Sequence, residues 1–131
     1  MEGKWRFRGW DAVGDKGWVY GDLVHNQKVT KDGLEPRVMV GGYEVVPESV
    51  GLCTGLKDKN GNEIYVGDIV RWDRDQKMYV VVFRDGMFYA SVEECNPHIY
   101  GGFPLWYLCE AEQHCTIVGN IFDNKELLKH E

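Results

Sequence analysis

The chain has 131 residues, of which 44% are hydrophobic and 27% charged, with a net charge of −6 and four cysteines. That length is normally one domain, so a single domain over residues 1–131 is expected, with a core large enough to need no covalent staples. The composition excludes a low-complexity or fibrous chain, and no apolar run approaches the roughly 18 residues of a membrane-spanning helix.

The charge is unevenly placed. Residues 1–50 carry seven Lys and Arg against eight Asp and Glu, residues 51–90 six against six, and residues 91–131 two against seven. An acidic last third argues against whole-chain attraction to nucleic acid, which needs a positive footprint, and leaves open a local basic face. Sixteen glycines and 13% aromatic residues favour short strands joined by tight turns. With no apolar targeting segment at the start, the expectation is a soluble, cytoplasmic protein.

In chain order, Lys4-Trp5-Arg6-Phe7-Arg8 alternates basic and aromatic residues, the period of a strand with one buried face. Trp5 and Phe7 are expected inward, and Lys4, Arg6 and Arg8 outward. Gly14-Asp15-Lys16-Gly17 turns the chain into an antiparallel partner beginning at Trp18. Residues 25–36 are polar and turn-rich and suggest a mobile excursion or a protruding hairpin. Two short strands, Arg37 to Val40 and Tyr43 to Val46, flank Gly41-Gly42, and Pro47 to Val50 forms a single turn.

The run from Thr54 to Val70 organises the rest. Asp58-Lys59-Asn60-Gly61-Asn62 reads as a turn in which Asn60-Gly61 tolerates positive φ. Gly67 is expected where a Cβ would clash, and Asp68 is expected to bond backbone N–H groups in the bend before Ile69. Asp73 to Lys77 is a solvated turn that lacks the other positions of a calcium loop. Met78 to Arg84 is the most continuous apolar run, hence a central strand buried on both faces, and Asp85-Gly86 turns it into Met87 to Val92. After an aromatic loop from Glu93 to Pro104, strands are expected at Leu105 to Cys109 and Cys115 to Phe122. Asp123 and Glu126 have the spacing of a capping box and predict a short helix with Leu127 and Leu128 docked inward.

The central run, with Gly55, Asp58, Asn60, Gly61, Gly67 and Asp68, resembles the signature of the YopX family of phage and prophage proteins. So do the opening Arg6-Phe7-Arg8-Gly9-Trp10-Asp11 and the closing segment with Gly119, Asn120 and Glu126-Leu127-Leu128. Three matches in order cover essentially the whole chain. The resemblance implies a mainly β, partly barrel-like fold and transfers no catalytic or ligand residues. The expected fold is therefore a partly open, SH3-like or barrel-like antiparallel sheet with hairpin excursions and a short C-terminal helix.

Candidate chemistry is sparse. Cys95, His98, Cys109, His114 and Cys115 are zinc-type ligands, but no pair has C-x-x-C spacing, and free, partly buried cysteines are expected with no metal and no cofactor. Asp68, Glu93, Glu94, His98 and His114 are the carboxylates and imidazoles an enzyme would need, with no nucleophile–base motif to organise them. The expected function is a non-enzymatic module binding a protein partner or itself, with His98, Tyr100 and Phe103 as the candidate contact loop. The alternative is a nucleic-acid face built from Lys4, Arg6, Arg8, Arg71, Arg74, Lys77 and Arg84.

Overall fold

The computed structural model describes residues 5–92, 101–110 and 114–128. The chain forms two compact units, Met1–Cys53 and Thr54–Glu131.

In the first unit β1 (Phe7–Trp10) pairs antiparallel with β2 (Trp18–Gly21), Trp10 opposite Trp18. The connecting loop is held by Asp11. Its Oδ1 accepts the N–H groups of Val13 and Gly14, its Oδ2 that of Lys16, each at 3.1 Å. These backbone bonds, Gly14 first, hold the carboxyl below the usual carboxylate range. Next come β3 (Leu23–Thr30) and β4 (Gly33–Val40), a regular ribbon with a two-residue turn, and β5 (Tyr43–Glu44) beside the end of β4. The predicted excursion is thus a protruding hairpin, and it is regular β structure throughout. After a 3-10 turn at Pro47–Ser49, β6 (Gly51–Lys57) pairs through Gly51 and Leu52 with β1.

Val19, Val40 and Val45 form the core of this unit, with Phe7, Leu23, Val38 and Val50 packed around them. Gly9 makes that packing possible, because a Cβ there would lie 2.8 Å from Val45. The expected alternation along the opening strand fails at this point. Trp5 is 71% exposed, whereas Arg8 is buried with its guanidinium 4.7 Å from the Trp18 ring centre. A cation over an aromatic face is stabilised where a lone buried cation is not, so the Trp18 ring reverses the outward placement of Arg8.

In the second unit the later residues of β6 run beside β7 (Glu63–Tyr65), and Thr54 Oγ1 donates to the Ile64 carbonyl at 2.8 Å. β8 (Asp68–Trp72), β9 (Met78–Arg84), β10 (Met87–Ser91), β11 (Gly102–Pro104) and β12 (Cys115–Asn120) form a five-stranded antiparallel sheet in the order β11-β10-β9-β8-β12. As the alternation requires, adjacent residues of central β9 serve opposite faces. Tyr79 and Val81 enter a cluster with Ile64, Val70, Trp72, Leu105 and Leu108, while Val80 packs with Ile69 against Ile121, Leu127 and Leu128. The Asp85-Gly86 turn forms as expected, with both residues at positive φ.

Two local predictions are corrected. Leu105 to Cys109 is not a strand: Leu105–Leu108 is a single helical turn, α1, after Pro104. Leu105 and Leu108 are three apart and both fully buried, while Trp106 between them is half-exposed, which a strand could not arrange. The C-terminal segment is a 3-10 turn, Lys125–Leu128, not an Asp123-capped α-helix. Asn120 takes the organising role, its Oδ1 accepting N–H from Phe122 at 3.0 Å and Asp123 at 2.8 Å. Leu127 and Leu128 do dock on the sheet as predicted. The protein is mainly β, in antiparallel sheets none of which closes into a barrel among the described residues.

Candidate functional site

The signature residues are placed as structural pins. Gly55, Gly61 and Gly67 take φ of 81°, 85° and 101°, which costs a side-chain-bearing residue most. Asn60 does not share this conformation; Gly61 alone supplies it in that turn. Asp58, buried, closes the turn by accepting N–H from Asn60 and Asn62 through Oδ1 at 3.0 and 2.9 Å. Its Oδ2 accepts the Ile117 N–H at 3.1 Å, beside the point where β12 bulges between Ile117 and Gly119. Ile117 lies on the outer edge of β12, where Cys115, two residues earlier, accepts the Lys59 N–H at 2.9 Å, and the Asp58 carboxylate supplies that edge with an acceptor. Asp68 accepts the Tyr65 N–H at 2.7 Å, and Asn120 lies opposite it in the ladder. Gly119 leaves room for Asn124, since a Cβ there would lie 2.5 Å from the Asn124 Oδ1. The central and closing motifs therefore meet, and the central carboxylates, Asp58 and Asp68, are committed to backbone N–H groups.

The candidate basic residues fall in both units. Lys4 lies outside the described residues, Arg6 and Arg8 belong to the first unit, and Arg8 is buried. In the second unit Arg74 and Lys77 flank the β8–β9 turn, Arg71 is within β8, and Arg84 ends β9 on the ring of Tyr89. Lys77 and Arg84 are thus about 23 Å apart at the strand's rise per residue. Arg74 donates to the Tyr107 hydroxyl at 3.0 Å and lies 5.6 Å from the Trp72 ring centre.

Of the candidate contact loop, His98 and Tyr100 lie outside the described residues, as do Glu93, Glu94 and Cys95. Phe103 turns inward, with its ring centre 4.9 Å from Trp72 and 5.8 Å from Tyr107. Tyr79 completes this group and donates to Asp75; burial and that bond push its phenol upward. Cys109 and Cys115 are free cysteines whose thiols are hydrogen-bonded to each other. Hydrogen bonding from Cys115 draws the Cys109 thiol down, and the same bond, with burial, pushes Cys115 up. Among the described residues no three His, Cys, Asp or Glu side chains gather as a metal site.

The surface that the sequence marked only as an excursion or a protruding hairpin is the β3–β4 arm. Asn26 accepts from Arg37 Nε at 2.7 Å and Lys28 pairs with Glu44 at 2.9 Å, so the polar groups of one face bond across the ribbon and to β5. On the other face Val29, 84% exposed, lies opposite Leu34, 62% exposed, near the tip. The signal was the turn Thr30-Lys31-Asp32-Gly33: Thr30 Oγ1 accepts the Asp32 N–H and donates to the Gly33 carbonyl, each at 3.2 Å. At the base a shallow cleft includes Lys16, Arg37, Tyr43 and Glu44.

Open antiparallel sheets with a projecting ribbon make this a small, mainly β protein. The sequence matches the family described as "YopX protein" over residues 6–129, and the chain belongs to that family. The fold is shared with a solved structure described as protein EF1440 from Enterococcus faecalis, at 24% identity and a TM-score of 0.57, covering 96% of this chain and 99% of that one. No curated protein matches the sequence.

Proposed function

We propose that the protein is a non-enzymatic protein-interaction module of phage or prophage origin, acting in the bacterial cytoplasm, and that the β3–β4 arm is its contact surface. The observation that carries this reading is the arm itself: two eight-residue strands with mostly exposed side chains, apolar at the tip through Val29 and Leu34. A ribbon of this kind offers main-chain bonding groups and apolar anchors together, which is how strand-addition partners are recognised. The commitment of Asp11, Asp58 and Asp68 to backbone N–H groups supports the non-enzymatic side of the reading. The test is affinity capture from bacterial lysate, with and without nuclease, comparing the wild type with Val29→Lys/Leu34→Lys. The reading expects a protein retained after nuclease by the wild type and lost by the variant. Capture that vanishes on nuclease treatment supports the basic-face alternative, and equal capture by both proteins removes the arm.

A further inference from the structure

The two long edges of the arm are unlike. The Gly41 N–H donates to the Asp22 carbonyl at 3.1 Å, which fixes the phase of the β3–β4 ladder. Even-numbered β3 residues then bond to β4, and Leu23, His25, Gln27 and Val29 turn their N–H and C=O groups to the outer edge. On the other strand the Val45 N–H donates to the Val38 carbonyl at 3.0 Å, so the even-numbered residues of β4 face the β5 side. β5 pairs only with Met39 and Val40, and beyond it that edge contains Pro36, which has no N–H. The β3 edge has no proline and no bulge in its register. Its only lysine, Lys28, is held by Glu44 on the ribbon instead of guarding the edge. Exposed edges ordinarily carry one of those protections.

We propose that the β3 edge is a self-recognition edge, pairing antiparallel with β3 of a second copy of this chain about a two-fold axis at Asn26. The inference deepens the reading of the arm as a binding surface and rests on it. A two-fold axis normal to the sheet requires paired residues to share a face and makes the contact self-complementary and closed. One register matches all four outward residues: Leu23 opposite Val29, and His25 opposite Gln27, each reciprocally. Sliding by two residues either way leaves an outward residue unmatched. This register lays the exposed Val29 against Leu23 of the second copy and sets Lys28 opposite Val24, so no like charges face each other. An arbitrary strand satisfies the backbone alone; a second copy satisfies the backbone and the side chains.

Asn26 then faces its own counterpart in a non-hydrogen-bonded pair, with Cα atoms about 4.5 Å apart, within disulfide range. Mild oxidation of full-length Asn26→Cys is expected to give a covalent dimer, and Val24→Cys, opposite Lys28, no more than the wild-type background. Sedimentation of the wild type is expected to show a concentration-dependent dimer. Gln27→Pro, which removes an outward N–H and keeps the β4 ladder, is expected to weaken that dimer at least tenfold with an unchanged circular dichroism spectrum. A wild type that stays monomeric at millimolar concentration overturns the proposal, as do equal cross-linking by the two cysteine variants and a dimer indifferent to Gln27→Pro. If the monomeric wild type still captures a protein that Val29→Lys/Leu34→Lys loses, self-pairing fails and the arm stands as a surface for a different protein.

Discussion

The first unit builds its buried apolar core from Val19, Val40 and Val45 and extends eight-residue strands beyond it; the second packs a sheet between two clusters, one of them containing ten buried residues. The units also use the same device at different ranges. Asp11 ties three N–H groups within five residues of itself, whereas Asp58 ties its own turn and then Ile117, 59 positions away. The first kind of tie shapes a loop; the second joins distant strands. Stability therefore concentrates in the second unit and accessible strand edge in the first.

The largest effect is expected where this contrast is deepest. Leu108→Ala removes a fully buried side chain from the larger cluster and should cost about 2–5 kcal/mol in chemical denaturation. Val40→Ala in the smaller core should cost less, about 1.5–3 kcal/mol, the value of burying that side chain. A larger loss at Val40 than at Leu108 would invert the ranking of the units.

Asp58→Ala comes next. It removes the charged acceptor of three part-buried bonds, from the N–H groups of Asn60, Asn62 and Ile117, at about 1–3 kcal/mol. The loss should appear as faster amide exchange at Ile117 as well as at Asn60 and Asn62; faster exchange at the turn alone would make Asp58 as local as Asp11. Asp11→Ala should free the amides of Val13, Gly14 and Lys16 and leave the second unit unchanged. Because the folded state lowers the Asp11 pKa, its contribution is complete above the ordinary aspartate value of about 3.9 and is lost as pH falls through the lower folded value. Amide shifts of that loop followed from pH 6 downward should move below the ordinary value, and movement centred above it would contradict the bonding.

The smallest effect is expected on the arm. Val29→Lys replaces a side chain already in solvent and should change stability by no more than about 0.5 kcal/mol, while weakening any contact made there.

Much of this division was legible in the chain. Asp85-Gly86, Gly61 and Gly41-Gly42 announced their turns because only a few residue types accept those backbone angles. Met78 to Arg84 announced a central strand by its apolar run, buried on both faces over Tyr79 to Val81 but open at Phe83, which is 57% exposed. What escaped depended on partners distant in sequence. Arg8 reads as an outward residue until Trp18 supplies a ring to cover it. Leu105 to Leu108 reads as a strand until two buried leucines three apart are seen to need one helical face. Asp123 has the spacing of a cap, yet the segment tightens to a 3-10 turn, and Asn120, fixed in the ladder opposite Asp68, holds the N–H groups of Phe122 and Asp123 before it. The arm was read by its polarity, which describes its surface and says little about its backbone.

Hydrogen exchange of the dilute full-length protein, read residue by residue, addresses the central claim most directly. The account predicts the slowest amides in β8, β9 and β10 and, along β3, fast exchange at His25, Gln27 and Val29 alternating with slower exchange at Val24, Asn26 and Lys28. Protection of the whole arm equal to that of β9 in a dilute monomer would contradict it.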